Sequence, residues 1–414
     1  MKGVVQNEQN SSVPKIFRIC PESIMQSRNF DVIIIGGAVM GSSVAYHLLA
    51  AEPKIKVAVL ERDPTYSRAS TSLSLGGVRV QFSLKENILL SLYAQDFFPR
   101  FEEEMAVDGE KPSIDYRRAG YLFFIDREGR AAAERGMDLQ RGLGGEVEWW
   151  TPEKIRREFP LFNNDLFVGG TFGPKDGYLD PYGVLMGFRK KAISLGARYI
   201  SDEAVGFKKA QAKIIRVDLA SGEALYSDTV VNATGPWAAE VARIAGIELP
   251  LAPVNRQVFA VKPETPLDRP LPLVIAPSNL YFRSETGGLI LVGRSMEDDE
   301  RGFGFRWDWK RFTDWLWPEL ARIVPAFERL KMVRGWAGLY EVNLLDSNAI
   351  LGPWPEMENF YLINGFSGHG LQQSPAAGRH LAELILKRTP ALDLSCFDPR
   401  RILEKQPLGE GAVV

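Results

Sequence analysis

Cysteine is nearly absent from this chain of 414 residues. Its two thiols, Cys20 and Cys396, cannot build a disulfide framework or ligate an iron–sulfur cluster. Histidine is as scarce, with only His47, His369 and His380, and no His/Cys cluster has ligand spacing, so no metal site is expected. Excess charge is missing too: 50 Lys and Arg against 52 Asp and Glu leave a formal charge of −2, and no net field to collect nucleic acid or acidic lipid. No apolar run approaches the ~20 residues that span a bilayer. The expected setting is a reducing compartment, the cytoplasm or, in a eukaryote, the mitochondrial matrix, and the expected partners are small molecules.

What is present is apolar bulk. With 45% apolar residues and 11% aromatics, the chain can bury a large core divided between two domains. Residues 1–28 are polar and irregular and read as a loose tail, with a targeting role left open.

The stretch "FDVIIIGGAVMGSSVAYHLL" begins at Phe30. Asp31 to Ile35 is a short β-branched run ending in glycine, which predicts a strand buried on both faces of a parallel sheet. A helix is expected from about Val39 to Ala50, then a second buried strand over Val57 to Leu60 with Glu61 at its end. Gly36 suits a tight turn, Gly41 lets the helix approach the strand, and the helix N-terminus offers N–H groups to a pyrophosphate. Glu61 follows Gly36 by 25 residues, the spacing at which an acidic side chain accepts hydrogen bonds from a ribose. Ala38 stands where the middle glycine of such fingerprints usually sits, a mild steric cost beside the phosphates.

Two distant segments add to this βαβ pattern. "DTVVNATGPWA" from Asp228 is a buried strand ending in small residues that admit a ligand. "FYLINGFSGHGLQQSPAAGRHLAELI" from Phe360 is a strand, a glycine-rich loop and a helix start, whose dipole stabilises negative charge such as a reduced flavin develops. Together the three pieces indicate FAD.

These motifs resemble the D-amino-acid oxidase and sarcosine oxidase superfamily of FAD-dependent amine oxidoreductases, over nearly all of residues 29–395. "ERDPTYSRASTSLSLGGVRVQFSLKENILLSL", "WAGLYEVNLLDSNAILGP" and "GFSGHGLQQSPAAGR" are most similar to a branch linked to assembly of respiratory complex I, while "GVRVQF" also resembles dye-linked proline dehydrogenases. The implied fold is α/β (α+β): a Rossmann-like FAD-binding domain with a βαβ dinucleotide fold, from 29–112, 170–250 and 340–400, plus an antiparallel-sheet substrate domain from 113–169 and 251–339. "GYLFFID", "RQVFAVK", "NLYFRSE" and "GLILVGRS" support the sheet, being aromatic and β-branched runs between turn residues.

The resemblance also implies roles. Gly36, Gly37, Ala38, Met40 and Gly41 belong to the pyrophosphate turn, Glu61 and Arg62 to the adenosine side, and Ser70, Thr71 and Ser72 to the ribityl-phosphate. Val205 meets the adenine, and Ala233, Thr234, Gly235 and Trp237 line the pyrophosphate side. Gly76, Gly77, Gly338, Gly365, Gly368, His369, Gly370, Leu371 and Gln372 belong to the flavin end. Arg79 follows Gly76-Gly77-Val78, and an arginine fork there suits a substrate carboxylate. Tyr281, Arg283, Arg256, Trp336 and Tyr340 are further candidates for that cavity, and Tyr281, Arg283, Tyr340, His369 and Gln372 are assigned to catalysis with Arg79.

Three departures refine this. Gly338 replaces the cysteine that tethers flavin in monomeric sarcosine oxidases, which implies non-covalent FAD. Ile290 or Leu291 replaces their oxygen-activating lysine, which implies a dehydrogenase rather than an oxidase, and Gln372 replaces their carboxylate-binding lysine, which leaves that task to Arg79. The expected activity is oxidation of a CH–NH or CH–NH2 donor, sarcosine-, proline- or D-amino-acid-like, by hydride transfer to flavin, with a quinone or protein as acceptor. The alternatives are an FAD-containing protein of complex I assembly with a respiratory-chain partner, and a 2-hydroxy acid dehydrogenase.

Overall fold

The structure is a computed structural model that describes residues 28–411, so the expected N-terminal tail lies almost wholly outside the described residues. The β-branched run after Phe30 forms the strand Asn29–Ile35, with Val32 to Ile35 buried. It pairs in parallel with Val57–Leu60 on one side and Ala224–Asn232 on the other. Phe360–Asn364 extends the parallel order beyond Ala224–Asn232, and Arg198–Ile200 extends it beyond Val57–Leu60. Such a central strand has apolar neighbours above and below, which is why its sequence is a continuous apolar run rather than an alternating one.

One face of this sheet is covered by the helices Val39–Ala51, Lys85–Phe97, Pro181–Ser194 and Gly370–Ile385, around Val44, Leu48, Phe97, Phe188 and Leu381. On the other face pack the hairpin Ala204–Ala210 with Lys213–Leu219 and the short helix Ala238–Ile244. Within the helix Gly370–Ile385, Pro375 falls late in the second turn.

The second sheet has eight strands among the described residues, in the order Leu330–Asn343, Leu251–Pro263, Leu289–Arg294, Leu280–Glu285, Leu273–Ile275, Tyr121–Ile125, Gly169–Gly173 and Glu148–Trp150. Its neighbours are antiparallel except Leu273–Ile275 with Tyr121–Ile125, which run parallel, so the sheet expected to be antiparallel is mixed. Tyr121–Ile125 precedes the other central strands by a long stretch of chain, and a crossover of that length permits the parallel pairing.

Alternation along these strands separates two faces. Phe282, Ile290, Val292 and Phe259 point into a core with Phe312, Leu320 and Phe327. Tyr281, Leu291, Val258 and Ala260 point the other way, where Leu75 and Trp336 pack. No helix among the described residues is long and apolar enough to cross a membrane.

Candidate active site

A cavity of about 1040 Å³ runs along the ends of the parallel strands. Its wall includes Gly36, Ala38, Met40, Glu61, Arg62, Ser70 and Thr71. The second motif adds Val205, Ala233, Thr234, Gly235 and Trp237, and the C-terminal loop adds Gly368, Gly370 and Leu371. Tyr340 is shared with a smaller cavity of about 70 Å³, which Gly77, Arg79, Tyr121, Tyr281, His369 and Gln372 also line.

The turn after the first strand is built for close approach. Gly36 has φ +97°, and a Cβ there would stand 2.4 Å from the Ala233 carbonyl oxygen. A Cβ on Gly41 would stand 1.9 Å from the Gly36 carbonyl oxygen, so the helix can start this close to the strand only with glycine. Ala38, at the helix N-cap, supplies no side-chain acceptor, so the first-turn N–H groups face the cavity without an internal cap. Ala38 is therefore accommodated in the turn.

Glu61 braces that turn, one carboxylate oxygen accepting from the Gly37 N–H at 2.8 Å and the other from the Asp63 N–H at 2.9 Å. Burial pushes its carboxyl up, and these two donors pull it back. Arg62 lies 4.2 Å over the Trp237 ring, and Trp237 stacks on Phe303 at 5.5 Å. Phe303 and Phe305 line the cavity and were not legible as site residues beforehand. The signal was "GFGF", aromatic rings spaced by glycine outside any strand.

The small cavity is organised by Arg79, 3% exposed. The guanidinium lies 4.1 Å over the Phe82 ring, donates to the Gln81 carbonyl, and meets His369 Nε2 at 3.2 Å. The Arg79 backbone N–H donates to Gln372 Oε1 at 2.7 Å, which ties this loop to the helix Gly370–Ile385. Behind the loop, Asp176 accepts from Val80 N–H and from the Gln81 and Gln95 amides; burial pushes its carboxyl up to about 6. Burial, and then the Arg79 charge, hold His369 down at about 3. Its ring is neutral at physiological pH and accepts the Arg79 hydrogen bond at Nε2, which puts the ring proton on Nδ1. Burial raises the phenols of Tyr121, Tyr281 and Tyr340, so they remain protonated.

Several expected residues lie elsewhere. Arg283 lines neither cavity: its guanidinium donates to the Leu75 and Ser284 carbonyls, pairs with Glu285, and covers the Tyr178 ring. So engaged, Arg283 ties the sheet to the Leu75 loop, apart from the two cavities that hold the other residues assigned to catalysis. Arg256 pairs with the buried Asp299, and Trp336 donates to the Leu73 carbonyl. Gly37, Gly41, Ser72, Gly76, Gly338 and Gly365 shape the walls from behind and line neither cavity. Gly338 packs on Leu73, where an added Cβ would sit 3.0 Å from the Leu73 Cβ.

These features suit FAD: a glycine turn with open N–H donors, an acidic residue after the second strand, and a second glycine-rich helix start facing the same space. No group of three or more His, Cys, Asp or Glu among the described residues could hold a metal ion.

Known proteins place the chain. FAD-dependent oxidoreductase domain-containing protein 1 of Xenopus laevis is 36% identical over 432 residues, covering 95% of this chain and 87% of that protein. Human mitochondrial dimethylglycine dehydrogenase is 27% identical over 400 residues, covering 90% of this chain and 44% of that protein. The crystal structure of L-proline dehydrogenase from P. horikoshii superposes with a TM-score of 0.83 at 27% identity, covering 92% of this chain and all of that one. The family model for FAD dependent oxidoreductases, DAO, matches residues 31–384, and the chain belongs to that FAD-dependent family.

Proposed function

We propose that this protein oxidises a C–N bond of a small amino acid or secondary amine, passing the electrons to a dye- or quinone-like acceptor in preference to oxygen. The observation that carries the reading is the content of the small cavity. Its described wall holds one charged side chain, Arg79, together with three phenols, the His369 imidazole and no carboxylate.

That composition suits a substrate with a carboxylate, and it favours an amine that enters neutral over one that enters as an ammonium. Arg79 supplies the partner that a buried carboxylate requires. An ammonium would enter the same buried space beside the Arg79 cation, and both repulsion and desolvation favour the amine in its neutral form. A neutral amine has the lone pair that expels hydride from the adjacent carbon. FAD, when bound, accepts that hydride and both of its electrons. The protonated phenols and the neutral imidazole can orient the amine and exclude water, and none is a strong base. The imine product leaves for hydrolysis by water.

The preference against oxygen is supported by Ile290 and Leu291, one of which by resemblance takes the place of the oxidases' lysine; of the two, Leu291 lies on the same face of the sheet as Tyr281, and neither carries a charge. Arg294 cannot substitute, because it pairs with Glu319 at 3.0 Å. Gly338 supports non-covalent FAD. Two of the three named proteins are a dimethylglycine dehydrogenase and an L-proline dehydrogenase, in accord with this donor class.

The test is a screen of the FAD-loaded protein with an artificial acceptor against N-methyl amino acids, proline, D-amino acids and 2-hydroxy acids. Turnover of a carboxylated amine is expected. Turnover of hydroxy acids alone would overturn the donor class. The complex I assembly role, which rests on the 36% identity to the Xenopus protein, would be favoured by stable association with a respiratory subunit and no amine turnover.

A further inference from the structure

Glu341, in "GLYEV", has no role in the reading above, yet it is the most unusual carboxyl on the wall of the large cavity. It is 9% exposed, and its Oε1 is buried without a hydrogen-bond partner. Its backbone is well held: its carbonyl accepts the Ser367 N–H at 3.0 Å, and its register partner on the neighbouring strand is Pro253. The backbone is therefore fixed in place, and the side chain it carries is buried.

Beside the carboxyl lie the Asn364 amide and the Gly365 N–H. The Asn364 side chain is itself fully buried, with neither its nitrogen nor its oxygen in a hydrogen bond. Glu341 Oε1 and the Asn364 amide thus lie side by side without a well-directed hydrogen bond where the strand Phe360–Asn364 opens into the glycine-rich loop, while the closeness of that amide and of the Gly365 N–H draws the carboxyl part of the way back toward its ionised form. Folded chains seldom leave such groups unpaired, and a site awaiting its ligand is a standing exception.

We propose that Glu341 is a cofactor contact, its carboxyl O–H donating a hydrogen bond to an acceptor atom of bound FAD. The proposal rests on the large cavity being the FAD site. Its chemistry follows from the surroundings. Burial without a compensating cation, only partly offset by the Gly365 N–H and the Asn364 amide, pushes the Glu341 carboxyl up to about 8, so at neutral pH it carries the proton it would donate. Pro253, Asn364, Gly365 and Ser367, the neighbours from the elements packed against it, do not titrate. The titratable groups on the same wall include Tyr340 and Tyr66, whose phenols burial raises, and Glu61, which its two backbone donors hold in the turn. Arg62 stacks on Trp237 at the adenosine end.

The test is FAD binding to the apoprotein, followed by flavin fluorescence and calorimetry between about pH 6.5 and 9, with circular dichroism as the check of fold. Wild-type affinity is expected to weaken above about pH 8, approaching tenfold per pH unit, because ionisation removes the donor. Glu341→Gln keeps a donor that does not titrate, so its affinity should stay flat over the same range. In the wild type alone, calorimetry in buffers of different ionisation enthalpy should show uptake of about three quarters of a proton per FAD at about pH 8.5. This arm does not depend on a variant folding. A flat wild-type profile with no proton uptake, or a Gln variant that weakens as the wild type does, would overturn the contact while leaving the FAD site intact. Failure to bind FAD at any pH would overturn both.

Discussion

Replacing Arg79 by methionine is the sharpest perturbation of the proposed chemistry. Methionine keeps much of the side-chain length over the Phe82 ring, so packing is largely retained while the charge is removed. Arg79 is 3% exposed, so solvent cannot replace it as the partner of a bound carboxylate. Truncating one member of a buried, hydrogen-bonded charge pair costs about 2–5 kcal/mol. At ~1.36 kcal/mol per decade, kcat/KM for a carboxylated amine should fall roughly 30- to 5,000-fold. Arg79→Lys should fall between the two, since it has the charge without the planar fork. The assay is dye reduction by the FAD-loaded protein, run in parallel on the amine lacking its carboxylate, which should respond little. A second readout is His369. With the Arg79 charge gone, its imidazole pKa should rise from about 3, while burial still keeps it below the ordinary histidine range; NMR titration of the ring protons would follow this. Equal losses on both substrates, with His369 unmoved, would show that Arg79 only holds the loop, and the amino-acid assignment would lose its main support.

Acid precipitation should leave the flavin in the supernatant, since Gly338 offers no side chain for a covalent link; colour retained in the pellet would contradict this. Dye reduction should outpace peroxide formation, and Leu291→Lys should narrow the gap by placing a cation on the cavity-facing side of its strand; oxidase turnover already equal to dye turnover would refute the argument. Gly41→Val should abolish FAD binding, because even its Cβ would overlap the Gly36 carbonyl at 1.9 Å; FAD titration of the purified variant checks this. The apoprotein should lose thermal stability from about pH 6.5 to 8. In that window the unfolded Glu341 carboxyl is already ionised and the folded one, raised to about 8, still holds its proton, so rising pH favours unfolding. Glu341→Gln should flatten that part of the melting profile.

The sequence by itself carried the turn chemistry. Gly36, the helix from Val39, the strand Val57–Leu60 and Glu61 were legible because each depends on its immediate neighbours: a buried run, a glycine, an uncapped helix start. The glycine-rich loop before Gly370 was legible for the same reason, and motif resemblance extended both to the FAD-dependent family. Facing and pairing were not legible. Ile290 and Leu291 were interchangeable in the sequence; register sends Ile290 into the core with Phe282 and Leu291 toward Trp336. Tyr281 and Arg283 share a strand face, yet only Tyr281 lines the small cavity, because the Leu75 carbonyl and Glu285 hold Arg283. Arg79 meets His369 across 290 residues of chain, and Phe303 reaches Trp237 from a loop with no periodicity to announce it. Only the tertiary structure decided these, because a one-residue change of strand register exchanges the two faces of a sheet, and register is set by packing among segments far apart in sequence.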